Sequence, residues 1–223
     1  MKLLALDTST EWCSVAVWID GAVHQREPGA GARHAEVIFD LVDQVLSDAG
    51  LSLVSLDGIA FGHGPGSFTG LRVACAVTQG LALGAGLPVQ GVGTLHAMAA
   101  DCGAERVITC LDARMQEVYA AAFERTPQGW TAAGDTVVCS PSAVPLPPGD
   151  GWTGCGSGFA AYAALSDRLA PVLQTVRQDV RPRAAQIAGL AAPAFARGEG
   201  MPPEAAVPVY IRNKVALTVA ERA

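Results

Sequence analysis

The order of predicted strands and helices in the first hundred residues begins again in the second hundred. Predicted strands at 2–7 and 106–111 each run into a Leu-Asp pair and a polar turn. In both halves two more strands follow, and then helix, strand and helix. This order predicts a layered α/β fold. Its recurrence, without a repeat of individual residues, predicts two duplicated lobes, 1–104 and 105–223, with the tail 213–223 packing back on the first lobe.

The composition predicts a large aliphatic core and little affinity for nucleic acid. Half of the 223 residues are apolar and only 6% are aromatic, so Ala, Val and Leu must build the core. The net charge is −6, and no run of Lys or Arg occurs. Tight binding to the phosphates of a nucleic acid by this chain alone is therefore excluded.

The cysteines and the apolar segments indicate a reducing, cytoplasmic environment. None of the six cysteines forms a C-x-x-C pair. Asp7 interrupts the first apolar run, which is too short for a signal peptide. The longest apolar stretch, 71–89, contains Arg72, Gln79 and three glycines. It predicts a buried helix followed by a turn, so we expect no membrane segment.

A polar cluster, Asp7-Thr8-Ser9-Thr10, follows the first strand. A carboxylate and hydroxyls at such a turn can hold the phosphate of a nucleotide or a hydrated metal ion. The same residues also form ordinary turns through Asx-type hydrogen bonds, which is the commoner reason for such a cluster.

A glycine-rich segment, Gly62–Gly70, precedes a long apolar helix. Its backbone amides could approach an anion at the N-terminus of that helix. It lacks the Lys-Ser/Thr pair of a Walker A loop, and Ser67 is not flanked as in a nucleophile elbow. A structural loop that sets the helix and a binding loop are equally consistent with the sequence. We expect Thr69 to cap the helix.

Two predicted helices, 33–49 and 69–85, are more apolar than one contact with a sheet requires. On the first, a stripe faces the core, comprising Ala35, Ile38, Phe39, Val42, Val45, Leu46 and Ala49. Val37 and Leu41 lie beyond its edge. The second is apolar nearly all round. We therefore predict a partner interface formed by Val37, Leu41, Leu71, Val73, Ala76, Val77, Gly80 and Gly84. The alternative is a purely intramolecular core.

Several segments along nearly the whole chain resemble the TsaB (YeaZ) family of tRNA threonylcarbamoyladenosine biosynthesis. The most specific is Gly64-Pro65-Gly66-Ser67-Phe68-Thr69-Gly70-Leu71-Arg72, with further matches at 4–10, 33–36, 91–95, 112–119 and 208–212. The resemblance implies two duplicated lobes of the actin/sugar-kinase/Hsp70-like (ribonuclease H-like) superfold.

The resemblance also implies a function without catalysis. The catalytic paralogue, TsaD, holds its metal ion with two histidines of a Gly-Val-Asn-His-x-x-x-His segment. Here Thr94 and Met98 occupy those positions, and His96 is out of register. We therefore expect no metal ion and no catalytic residues.

The partners that the family implies are TsaD and the ATPase TsaE. The predicted apolar interface would also join two copies of this chain into a homodimer when TsaD is absent. Together they modify N6 of adenosine 37 in tRNAs that read codons starting with A, and this chain would meet tRNA only within the complex. Two alternatives are a peptidase of the glycoprotease-like family and a small ATP-dependent kinase-like protein. The Asp7 turn lacks the glycine usual in the kinase-type phosphate hairpin, so at most weak ADP or ATP binding between the lobes is expected.

Overall fold

The computed structural model of the chain describes residues 1–29 and 31–212. It contains eleven strands, which are β1 (Lys2–Asp7), β2 (Ser14–Ile19), β3 (Ala22–Arg26), β4 (Gly58–Gly64), β5 (Val89–Gly93), β6 (Arg106–Asp112), β7 (Val118–Thr126), β8 (Gly129–Ala132), β9 (Val137–Cys139), β10 (Trp152–Cys155) and β11 (Leu173–Arg177). Its α-helices are α1 (His34–Asp48), α2 (Phe68–Ala85), α3 (Thr94–Cys102), α4 (Ser157–Ala161), α5 (Ala163–Leu169) and α6 (Ala184–Ala196).

The two sheets have the same strand order. The first is β3-β2-β1-β4-β5, and the second is β8-β7-β6-β10-β11 with β9 paired to β7. In each sheet the strand that comes first in the chain is central. β1 is antiparallel to β2 and parallel to β4, and β6 is antiparallel to β7 and parallel to β10. The predicted duplication of an α/β lobe is therefore confirmed. Strands β8 and β11 were not predicted from the sequence; they are short, largely exposed strands at the edges of the second sheet.

The first sheet is covered on both faces, and its central strand shows how the sequence achieves this. Leu4 and Leu6 of β1 face the cluster formed with α1 and α2. Ala5, on the opposite face, packs with Ala16 and Ala60 against α6. Alternate residues of a strand point to opposite faces. Small residues on one face let a helix approach closely, which fits a core with few aromatic side chains.

The last helix of each lobe packs on the sheet of the other lobe. Leu95, Met98 and Cys102 of α3 lie in a cluster with residues of β6, β7 and β10. In return, α6 contacts β1, β2, β4 and β5. The strands of the two sheets divide between β5 and β6, but α3 and α6 do not follow that division. The lobes therefore exchange one helix each.

After α6 the chain runs back along the first lobe, and residues 209–212 contact both lobes. Met201 pairs with Val89 of β5. The Val209 amide donates to the His63 carbonyl oxygen at 2.8 Å. Arg212 then donates to the Ala113 carbonyl oxygen in the second lobe at 3.0 Å. The predicted packing of the tail 213–223 falls outside the described residues.

Helix α2 is the one described helix that is long and apolar enough to cross a membrane by length and composition. The core helix of a globular protein meets the same two criteria, and α2 packs on β4 and β1. Its N-cap is Ser67, whose hydroxyl accepts from the Gly70 amide, and not Thr69 as predicted. Gly86 ends it in the left-handed conformation, with φ of 65°.

Candidate functional site

A cleft with a volume of about 1090 Å³ lies between the lobes. The first lobe contributes the polar turn after β1 and the start of α2, and the second contributes the β6–β7 turn and the start of α4. Its polar lining residues include Ser9, Thr10, His34, Ser67, Asp112, Arg114, Tyr119, Ser157, Tyr210 and Arg212. We call this space the interlobe cleft.

Only part of the polar turn after β1 reaches the interlobe cleft. Thr10 and the largely buried Ser9 line it, whereas Asp7 and Thr8 are buried away from it. The Asp7 Oδ1 atom accepts from the Ser9 amide at 3.0 Å and from the Ser9 hydroxyl at 2.8 Å. The Thr8 hydroxyl donates to the Gly70 carbonyl oxygen at 2.7 Å. The turn is thus held by Asx-type hydrogen bonds, and nucleotide binding at these four residues stays a prediction.

Asp7 is an ionisable group enclosed by protein. It is 1% exposed, and its Oδ2 atom has no hydrogen-bond partner. Burial raises the pKa of this carboxyl from 3.8 to about 6, against the opposing effect of the hydrogen bonds from Ser9. The folded chain therefore binds a proton at Asp7 more tightly than the unfolded chain does.

The glycine-rich segment packs on this turn. A Cβ atom at Gly62 would overlap the Asp7 carboxylate, and one at Gly66 or Gly70 would overlap the backbone oxygen of Ser9 or Thr8. The Ser67 amide donates to the Ser9 carbonyl oxygen at 2.7 Å. Close packing alone therefore requires glycine at these positions, which favours the structural interpretation of the loop over the anion-binding one.

The serines that line the cleft are not arranged as nucleophiles. The Ser9 hydroxyl donates to Asp7, and the hydroxyls of Ser67 and Ser157 accept from backbone amides. None of these contacts is to a histidine, which would be needed to activate a serine. The geometry of the cleft gives no support to a serine peptidase.

The two positions at which the resemblance implies metal ligands in TsaD are enclosed here. Thr94 and Met98 are fully buried, and Met98 lies in the apolar cluster beneath α3. His96 stacks on Phe123 with the ring centroids 5.1 Å apart. Among residues 1–29 and 31–212, no three His, Cys, Asp or Glu side chains are grouped as metal ligands. The absence of a bound metal ion stays a prediction.

The predicted partner interface divides into buried and exposed residues. Leu41, Leu71 and Val77 belong to the chain's own core, and Val37 and Val73 are half-buried against it. The helical wheel placed Ile38, Val42, Val45 and Leu46 correctly in the core. It was wrong for Phe39, which is 53% exposed, and for Leu41, which is buried. Helix α1 contacts β2, β3 and α2, and these neighbours shift its buried arc toward Leu41.

The exposed apolar residues of α2 form one continuous strip. Ala76, Gly80 and Gly84 are exposed, and half-buried Val73 lies beside them, while the partner interface at these residues stays a prediction. Leu83, which was not among the predicted interface residues, is 76% exposed and follows Ala76 by two helical turns. No atom of the described residues lies within 4 Å of a Cβ atom built at Gly80 or Gly84. We call Val73, Ala76, Gly80, Leu83 and Gly84 the outer face of α2.

Two lobes of the same strand order on either side of a cleft define the actin/sugar-kinase/Hsp70-like superfold. The family model described as TsaD, tRNA N6-adenosine threonylcarbamoyltransferase, matches residues 23–152. "tRNA threonylcarbamoyladenosine biosynthesis protein TsaB" of Escherichia coli is 39% identical, covering 97% of this chain and 96% of that protein. The protein of the same name from Haemophilus influenzae is 35% identical, over 96% and 95%.

A solved structure supports the same family relationship. It is described as an uncharacterized protein with similarity to peptidase YEAZ from Pseudomonas aeruginosa, and it superposes with a TM-score of 0.87 at 38% identity. The superposition covers 95% of this chain and 99% of that one. This chain belongs to the TsaB (YeaZ) family.

Proposed function

We propose that this chain is a non-catalytic subunit that pairs with TsaD in the cytoplasm and supports the formation of N6-threonylcarbamoyladenosine at position 37 of tRNA. TsaE joins the assembly, and tRNA is contacted through the complex. The outer face of α2 carries the proposal, because it is an apolar surface that residues 1–29 and 31–212 leave uncovered. The family relationship supports it, since the relatives bear the name of this pathway.

The outer face of α2 suits a helix of a paralogous lobe. Gly80 and Gly84 leave room for close approach of another backbone, and Leu83 projects beside them as an apolar anchor. Paralogous lobes can present equivalent helices to each other, so the contact would be pseudo-symmetric. The TsaD family model matches a segment of this chain that contains α1 and α2, which supports a paralogous partner.

The outer side of α1 adds a charge preference to this surface. Phe39 is flanked there by exposed carboxylates at Glu36, Asp40 and Asp43. A partner with Lys or Arg opposite them gains electrostatic complementarity. Two copies of this chain joined through the same surface would bring like charges together. A homodimer should therefore form only when TsaD is absent and should strengthen with added salt.

We propose that the chain has no metal-dependent catalysis because Thr94 and Met98 occupy the two expected ligand positions. A metal ion at these positions would need open coordination sites and donors such as His or carboxylate. Both side chains are instead enclosed in packed structure, and neither is an equivalent donor.

The experiment combines pairing and tRNA modification. Leu83→Glu places a carboxylate at the centre of the outer face of α2, where Leu83 is exposed, so the fold is retained. We expect pairing with TsaD, measured by titration and gel filtration, to weaken at least thirtyfold, or about 2 kcal/mol. Modification of tRNA by the reconstituted proteins should fall in parallel.

Leu146→Glu is the matched control, because Leu146 is also exposed but lies in the second lobe. It should pair and modify as wild type. A folded Leu83→Glu variant that binds TsaD with unchanged affinity would place the interface elsewhere. Modification that proceeds equally well without this chain would overturn the proposed function itself.

A further inference from the structure

The β6–β7 turn, residues 113–117, has an unfavourable backbone conformation. Arg114, Met115 and Gln116 have φ values of 60°, 55° and 60°, so three successive residues lie in the left-handed region. None of the three is Gly, Asn or Asp, the residues that tolerate this region best. Such strain persists only where surrounding contacts fix the conformation, and it is commonly found in switch regions.

Hydrogen bonds within the turn account for part of its conformation. The Asp112 carboxylate accepts from the Arg114 amide at 2.8 Å. The Ala113 amide donates to the Glu117 carbonyl oxygen at 2.9 Å, and the Glu117 amide donates to the Arg114 carbonyl oxygen at 3.0 Å. None of these three hydrogen bonds involves residues 115–116. The centre of the turn therefore depends on contacts from outside it.

Arg212 supplies contacts along the whole turn. Its guanidinium donates to the Ala113 carbonyl oxygen at 3.0 Å and to the Met115 sulfur at 3.6 Å. It also forms an ion pair with Glu117. The Arg212 side chain is only 14% exposed, so these contacts are largely shielded from water. One side chain thus contacts the beginning, the middle and the end of the strained turn.

The segment 206–212, which we call the strap, lies against α2 before it reaches the turn. The Ala206 carbonyl oxygen accepts from the Gln79 side chain at 2.9 Å. The Tyr210 hydroxyl accepts from the Arg72 guanidinium at 3.0 Å. Both donors belong to α2. The strap therefore has one end on a helix of the first lobe and the other on a turn of the second.

We propose that the strap is a latch, which holds the β6–β7 turn in its left-handed conformation and couples that turn to α2. When Arg212 leaves the turn, residues 114–116 relax to right-handed or extended backbone, and the strap loosens from α2. A coupling of this kind is reciprocal, so loosening the strap at α2 also releases the turn. Because the turn lines the interlobe cleft, a change in the cleft reaches α2 through one segment of the chain.

Trypsin measures the state of the turn in the isolated full-length chain. The Arg114 side chain is 85% exposed, but cleavage after it requires the turn to open, so the rate reports the open population. Arg212→Gln removes the guanidinium and its ion pair. We expect cleavage after Arg114 to become at least about tenfold faster. Cleavage after Arg168, within α5, reports general unfolding in the same digest and should not change.

Arg197→Gln is the matched control. Arg197 also forms an ion pair, with Glu199, but both side chains are more than half exposed and the pair is local in sequence. This variant should be cleaved after Arg114 at the wild-type rate. An unchanged rate in Arg212→Gln, or an equal acceleration after Arg168, would overturn the latch.

Glu117→Gln removes the same ion pair from the side of the turn, and it should also accelerate cleavage after Arg114. Circular dichroism checks the fold of each variant. If Arg212→Gln does not fold, then Glu117→Gln decides the proposal by the same criterion.

Two further variants test the coupling to α2. Gln79→Ala and Tyr210→Phe each remove one hydrogen bond between the strap and α2 and leave Arg212 in place. Each should accelerate cleavage after Arg114 by about two- to fivefold. Wild-type rates in both variants would show that the turn and α2 are not coupled.

Hydrogen exchange tests the coupling in the other direction. The Val209 amide, in the middle of the strap, donates to the His63 carbonyl oxygen at 2.8 Å. In Arg212→Gln we expect this amide to exchange at least about fivefold faster than in wild type. Exchange at the wild-type rate, in a variant whose turn is cleaved faster, would confine the effect of Arg212 to the turn and overturn the coupling.

Discussion

At the scale of single residues, Asp7 makes the free energy of unfolding fall as pH rises, which is the opposite of the usual effect of a carboxylate. Its pKa is raised to about 6 in the folded chain, so its contribution to stability is fully present below pH 3.8 and is lost as pH rises through 6. A shift of this size corresponds to about 3 kcal/mol. Asp7→Asn keeps an oxygen acceptor for Ser9 and removes the titration. Between about pH 4 and pH 8, urea unfolding should show the variant gaining about 2–3 kcal/mol relative to wild type.

An exposed carboxylate provides the control for this measurement. Asp135→Asn, in a solvent-exposed loop, should change the free energy of unfolding by the same small amount at every pH. If Asp7→Asn behaves like Asp135→Asn, then the Asp7 carboxylate is not enclosed as the structure indicates.

At the scale of elements, α2 offers the same substitution in two opposite environments. A methyl group at Gly70 would overlap the Thr8 carbonyl oxygen, so Gly70→Ala should destabilise the chain by about 2 kcal/mol or more. Gly80→Ala adds its methyl group to open space on the outer face and should stabilise by about 1 kcal/mol. Thermal unfolding of both variants measures this difference.

The pairing assay gives Gly80→Ala a second readout. The added methyl group should weaken association with TsaD even as the isolated chain becomes more stable, since close approach at this position is what the proposed contact uses. A variant that is more stable and also pairs normally would show that the partner does not pack against Gly80.

The elements also show what the sequence can and cannot specify. Most strands along the chain and the C-terminal end of α2 were predictable, because apolar runs and glycine signals are local. The exposure of Phe39 and the burial of Leu41 were not, since a helical wheel gives relative angles but not which neighbours a helix meets. Likewise, the backbone oxygens of Ser9 and Thr8 come close to Gly66 and Gly70 only in the folded chain. The requirement for glycine at these two positions was therefore not predictable from local sequence.

At the scale of the whole molecule, the exchanged helices make each lobe depend on the other. Residues 1–104 alone lack α6, so Ala5, Ala16 and Ala60 would lose their cover, and α3 would expose the face that packs on the second sheet. We expect this fragment to show no cooperative unfolding transition. Mixing it with residues 105–223 should restore one, as measured by circular dichroism. A fragment 1–104 that unfolds cooperatively by itself would contradict this dependence.

The position of α6 also governs the order in which the chain can fold during translation. The strands of the first sheet leave the ribosome early, yet one face of that sheet stays uncovered until α6 follows, after the whole second sheet has been synthesised. Nascent chains usually fold one lobe at a time from the N-terminus. Here the first lobe cannot finish folding before the second has been synthesised. A ribosome stalled within β11 would therefore carry a first sheet whose strands are paired, but whose α6-binding face is still exposed and can bind chaperones.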